Sequence, residues 1–157
     1  MACSPALDWR EVRPAGTGAL ALFPCKPIQE VRRVRLADAD ADMTLLSCQA
    51  DGALWAFAYA DVTDPARVGR ALDELATASL RNIRASQSAS APGAVTGMTP
   101  NPSAMRMSAE GTRPDGTKVH VDTAVFAKGT HVFQATVVSP GADPAAVATF
   151  LDSVRWP

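Results

Sequence analysis

The stretch ALWAFAYADVTDPARVGRALDELATASLRNIR, residues 53–84, carries the two periodicities that decide the fold. Its opening alternates: Trp55, Phe57 and Tyr59 fall on one side of an extended chain and Ala56, Ala58 and Ala60 on the other, which is the period-two signature of a β-strand. The period then changes. Asp64-Pro65 supplies a helix start, a carboxylate to cap free N–H groups and a proline whose missing N–H is harmless at the first helical position. Val68, Leu72, Leu75, Ser79 and Ile83 recur at helical spacing, and Arg81 and Arg84 fall near the end where the helix dipole favours cations. An aromatic row on a strand that leads straight into an amphipathic helix reads as core or as a sheet-to-helix contact rather than as a ligand platform.

Working upstream, Asp51-Gly52 is a strong turn signal, and Ile28–Leu36 and Asp42–Gln49 read as strands joined through Ala37-Asp38-Ala39-Asp40. That hairpin sets Leu36 opposite Ala41 and Cys48 opposite Gln29. Residues 19–23 form a short strand closed by Pro24. Residues 1–18, with Pro5, Pro14, Gly16 and Gly18 and only Trp9 as a large apolar group, read as a lead-in to one domain spanning 19–157. Downstream, residues 85–103 are rich in Ser, Ala, Pro and Gly without periodicity and read as a long connection. Met105–Glu110 runs into the turn Arg113-Pro114-Asp115-Gly116. Lys118–Ala127 and Thr130–Ser139 follow as a hairpin looped at Lys128-Gly129. Asp143-Pro144 opens a short final helix with Val147, Phe150, Leu151 and Val154 as its apolar stripe, and Trp156 docks the terminus. The sum is an α+β domain: an antiparallel sheet of about six or seven strands with two helices packed on it, the longer over residues 64–84. The alternative is a split β-α-β ferredoxin-like arrangement.

At 157 residues the chain suits a single core. Its 15 basic and 16 acidic residues leave a net charge of −1, which gives no electrostatic reason to expect nucleic acid or an anionic membrane as partner. No run approaches the roughly 18–20 apolar residues of a spanning helix. Alanine supplies 30 residues, so five Phe, three Trp and one Tyr must anchor the core.

The cysteines bear on compartment. Cys3, Cys25 and Cys48 form no CxxC and no cluster with the two histidines, His120 and His131, which argues against a zinc site. In an exported protein Cys25 and Cys48 can pair. Cys3, in Met1-Ala2-Cys3-Ser4-Pro5, resembles the lipidated cysteine at the end of a bacterial lipoprotein signal, although the charged and apolar parts of such a signal are missing ahead of it. One lipid and one disulfide then use all three cysteines, and the alternative is a cytoplasmic protein with three thiols. The expected hairpin leaves Cys25 four residues beyond the partner of Cys48, so Pro24 and Pro27 must turn the chain back for the pair to meet.

Chemistry is sparse. There is no G-x-S-x-G, Walker loop, G-x-G-x-x-G after a strand, or H-E-x-x-H. The 118–139 hairpin puts His120, Asp122, Phe126, His131 and Phe133 on one sheet face, with His120 and Asp122 close enough for a carboxylate-oriented imidazole, the way a general base is prepared. A solvated pair is the plainer reading. Arg32, Arg33 and Arg35 are neutralised by Glu30, Asp38, Asp40 and Asp42, and such strand charges also discourage edge-to-edge association.

Leu22-Phe23-Pro24-Cys25-Lys26-Pro27, the aromatic strand before a capped helix, the closing hairpin through Gly129–Val137 and the final Phe150-Leu151-Asp152-Ser153-Val154 together resemble small exported bacterial domains of Mog1/PsbP-like fold. That resemblance, over about residues 19–155, implies an antiparallel sheet with helices against it and no enzyme, and it carries over no functional residue. The expected function is a non-catalytic binding or accessory protein of the bacterial cell envelope, extracytoplasmic and lipid-anchored through Cys3, with a protein partner and with no cofactor or metal. The alternative is a small hydrolase using His120 and Asp122.

Overall fold

Turn chemistry sets the sheet. Ala37 and Asp38 (φ 50° and 65°), Asp51 and Gly52 (52° and 74°), and Gly129 (60°) adopt the positive φ that two-residue hairpin loops demand. The wider turn at Arg113–Gly116 closes through Gly116 N–H to Arg113 O at 2.9 Å. The computed structural model describes residues 7–157. Its strands are β1 (Arg10–Val12), β2 (Ala21–Phe23), β3 (Ile28–Leu36), β4 (Ala39–Ala50), β5 (Ala53–Asp61), β6 (Gln87–Pro92), β7 (Met105–Thr112), β8 (Lys118–Lys128) and β9 (His131–Ser139). Helix α1 spans Val68–Asn82 behind a short 3-10 turn, and α2 spans Pro144–Ser153. β1 and β2 pair as a ribbon, and the rest form one seven-stranded sheet in the order β3-β4-β5-β9-β8-β7-β6 with every neighbour antiparallel. The fold is α+β as expected, and no parallel strand pairing of the ferredoxin-like alternative occurs in this sheet.

The helices lie on opposite faces. Val68, Ala71, Leu72, Leu75 and Ala76 of α1 pack over Ala60, Val125, Ala127 and Val132. The other face presents Trp55, Phe57, Tyr59, Phe126 and Phe133 to Val147, Phe150 and Leu151 of α2 and to Ala21 and Phe23 of β2. Asp64 and Pro65 open the 3-10 turn ahead of α1 rather than α1 itself, with Asp64 accepting from Ala66 N–H, whereas Asp143 caps α2 directly, accepting from Ala145 N–H.

Three expectations need correction. Both hairpin loops are two residues: Leu36 pairs with Ala39 and Lys128 with His131, so the loops are Ala37-Asp38 and Gly129-Thr130. The primed turns match the right-handed twist of the strands, which a four-residue loop at 37–40 would not need. Because each register moves by two, every side chain keeps its face. Second, the lead-in is shorter than residues 1–18. β1 pairs with β2, and Trp9 meets Trp55 edge to face with centroids 5.9 Å apart. Three residues are too few to show a period. Third, residues 85–103 are not simply a loop. β6 is a sheet edge, and its residues 88–92 are exposed, so no buried face imposes alternation. Beyond it Gly97 O accepts from Lys128 Nζ, Thr99 bridges Ala127, and Thr96 bridges Arg155.

The C-terminal residues stitch this face together. Arg155 and Leu20 exchange two backbone hydrogen bonds at 2.8 and 3.0 Å, Trp156 N–H donates to Thr96 O at 3.0 Å, and its indole Nε1–H donates to Thr17 O at 2.9 Å. Trp156 also packs edge-on to Phe126 and Phe133. A Cβ at Gly97 (φ +88°) would lie 2.8 Å from that of Trp156, so only glycine fits there.

Candidate functional site

His120 and Asp122 lie two apart on β8 and therefore on one face, the aromatic one. The β7 register sets Glu110 opposite His120 and Ser108 opposite Asp122. The first turn of α2 and the loop Pro140-Gly141-Ala142 supply the facing wall, so these polar residues line a cleft of about 470 Å³. Arg106 Nη1 closes it by bonding Asp152 Oδ1 of α2 at 2.5 Å. The pair is not fully solvated: the side chains of His120 and Asp122 are 34% and 23% exposed.

The geometry limits what this cluster does. His120 Nε2 is 3.2 Å from Asp122 Oδ2 and 2.9 Å from Ser108 Oγ. Both groups thus approach the same ring nitrogen, Ser108 within hydrogen-bond geometry and Asp122 at ion-pair distance. In a working relay the carboxylate and the hydroxyl sit on different ring nitrogens. Two nearby backbone donors are already taken. Ala142 N–H bonds Ser139 Oγ at 2.7 Å and Ala145 N–H bonds Asp143 Oδ1 at 3.2 Å. What the cleft offers is polarity and charge. Its lining holds the carboxylates Glu110 and Asp122, while the one guanidinium, Arg106, is paired with Asp152, an excess of negative charge that favours a cationic group.

The remaining sequence candidates fall elsewhere. His131 is at the far end of the β8–β9 hairpin, stacked on Phe133 with centroids 6.4 Å apart and opposite Asp61. The Asp61 carboxylate accepts from Thr130 Oγ1 and Thr63 N–H, and these bonds, the Thr130 hydroxyl first, hold its pKa below the ordinary carboxylate value. Cys25 and Cys48 lie at disulfide distance, S–S 1.94 Å and Cα–Cα 6.0 Å. The register of β3 and β4 explains how. Ser47, not Gln49, opposes Ile28, so Cys25 is two residues nearer its partner than the expected hairpin allowed. Cys3 lies outside the described residues. The arginine run is neutralised by three of its four expected partners, Arg32 by Glu30 at 2.7 Å, Arg33 by Asp42 at 3.0 Å and Arg35 by Asp40 at 3.7 Å, while Asp38 pairs instead with Arg70 of α1. Among the described residues no group of three or more His, Cys, Asp and Glu is arranged to hold a metal.

Ser108, Glu110 and Arg106 are the site residues that sequence reasoning missed. The signal was the Arg113–Gly116 turn, because a hairpin closed there brings residue 110 to residue 120. No protein-family model matches the chain, and no curated protein matches it in sequence.

Proposed function

We propose that the chain is a binding or accessory domain of the bacterial cell envelope, of Mog1/PsbP-like type, and that its cleft recognises rather than transforms a partner. The observation that carries this reading is that Asp122 and Ser108 approach the same ring nitrogen of His120, Nε2, so the carboxylate does not back the imidazole from its other nitrogen as a carboxylate–imidazole–hydroxyl relay requires. The acidic balance of the cleft suits a protein partner presenting a basic side chain, and the exposed strand β6 beside it extends the surface such a partner would meet. An extracytoplasmic location is supported by Cys25 and Cys48 at bonding distance, since disulfides persist in oxidising compartments. A lipid on Cys3 belongs to the same proposal.

Crosslinking from the envelope fraction tests the reading: a partner joined through residues 85–103 or the face bearing His120 supports it. The second reading, a small hydrolase, is favoured by the cleft enclosing both His120 and Asp122. Turnover on an esterase or phosphatase panel that disappears in His120→Ala would overturn the binding reading. For location, free thiols at Cys25 and Cys48 in native protein under non-reducing mass spectrometry, with no palmitate label dependent on Cys3, would sink the envelope assignment.

A further inference from the structure

The sheet has two edges, and they differ. β6 is six residues long and ends in Pro92, which has no N–H to offer. β3 is nine residues long, without glycine or proline, and residues 28–33 are exposed along their whole run. It carries the large apolar residues most exposed in the described chain, Ile28 at 64% and Val31 at 59%. A long open edge bearing apolar side chains is a template for another strand.

From the pattern of this edge we infer that β3 pairs antiparallel with β3 of a second copy, on a two-fold axis through Val31, continuing the sheet across both molecules. Alternate residues of a strand direct their N–H and C=O groups outward, so a two-fold antiparallel pairing must centre on a residue and not between two. Charge then chooses among the centres. An axis on Glu30 sets glutamate against glutamate, and axes on Arg32 or Arg33 set arginine against arginine. An axis on Gln29 sets Ile28 against a glutamate. The axis on Val31 places Val31 on Val31, Ile28 on Val34, and each Glu30 on the Arg32 of the second copy. In one molecule Glu30 and Arg32 already pair along the strand, and in the dimer the same four groups form a cross-strand network. The charges that block other registers thereby write the one that remains.

Sedimentation of the full chain over a concentration series reads the dimer. Glu30→Arg alone and Arg32→Glu alone each set like charges face to face twice, and each is expected to weaken dimerisation by about tenfold or more. The double variant Glu30→Arg/Arg32→Glu restores opposite charges and is expected to recover wild-type affinity. Because both side chains are exposed, unchanged far-UV circular dichroism and Tm confirm that the variants fold. Val31→Cys should oxidise to a symmetric cross-link whose peptide joins position 31 to itself. A protein that stays monomeric at all concentrations overturns the inference. So does a dimer insensitive to both single reversals, which would lie on another face. Failure to rescue by the double variant overturns the register.

Discussion

On the α1 face the strands present Ala60, Val125, Ala127 and Val132, while on the other they present Trp55, Phe57, Tyr59, Phe126 and Phe133. The small side chains let a continuous 15-residue helix settle close to the strands, and the helix brings its own volume in Val68, Leu72 and Leu75. The aromatic face has no such cover. Its lid is pieced together from the ten residues of α2, the β1–β2 ribbon and the residues around Thr96 and Trp156. Large rings fill what an irregular lid leaves, with Phe126 and Phe133 stacked at 5.4 Å and Trp55 edge-on to Phe150 at 5.5 Å. A sheet side can be completed by small residues under a regular element or by large ones under an irregular one.

The sharpest way to break that contrast is to empty each face in turn. Phe133 is fully buried and in contact with the rings of Phe57, Tyr59, Phe126 and Trp156. Phe133→Ala should cost about 3–5 kcal/mol in urea unfolding, at the upper end of the large-to-small range. Leu72→Ala, under α1, should cost less, about 2–4 kcal/mol, because the helix can settle toward its alanine neighbours. The reverse order would contradict the account of how the faces are filled. Next comes the Cys25–Cys48 bond, which closes a sequence separation of 23 residues on the aromatic side. Its reduction should lower stability by about 3 kcal/mol and raise amide exchange in β1–β2 more than in α1.

A smaller effect is expected where α1 ends on the sheet. A Cβ at Gly111 would stand 2.1 Å from Ile83 O, which itself accepts from Thr112 N–H. Gly111→Ala should therefore cost about 1–3 kcal/mol and loosen the last turn of α1, read by exchange at its C-terminal amides. The smallest is the surface carboxylate Asp61. Its folded pKa is depressed below 3.8, so its stabilising bonds are fully present above the unfolded value and are lost as pH falls through the folded one. The Tm of Asp61→Asn should lie below wild type at pH 7, and the gap should close on acidification below about pH 4. A gap that holds constant to pH 2 would show that the charge contributes nothing.

The same contrast explains what was legible in the sequence. α1 declared itself because one helix facing one sheet repeats its stripe from Val68 to Ile83, and Asp64-Pro65 marks its start. The aromatic row declared itself for the equivalent reason on a strand. β1, β6 and the contacts at Thr96 and Thr99 left no period, because three-residue pairings and exposed edges bury too little to impose one. His120 and Asp122 were visible as neighbours on one strand, but Ser108 and Glu110 reach them only through the β7–β8 register. The decisive fact, that hydroxyl and carboxylate share one ring nitrogen, is a matter of ångströms that no spacing encodes.

The stitch of Arg155 and Trp156 onto Leu20 and Thr96 also sets a clock. Chains are made from the N-terminus, so β2, with Phe23, emerges long before the residues that close over it. At roughly 5–20 residues per second, the aromatic side of the sheet waits on the order of ten seconds for position 156 to be made. The α1 side waits too, for β8 and β9, but its contacts are complete once Gln134, which donates to Leu75 O and Ser79 Oγ, and Val138 have been made. Nascent chains therefore pass through an interval in which one side can close while the other still shows its rings to water, the interval in which a holding chaperone has most to bind.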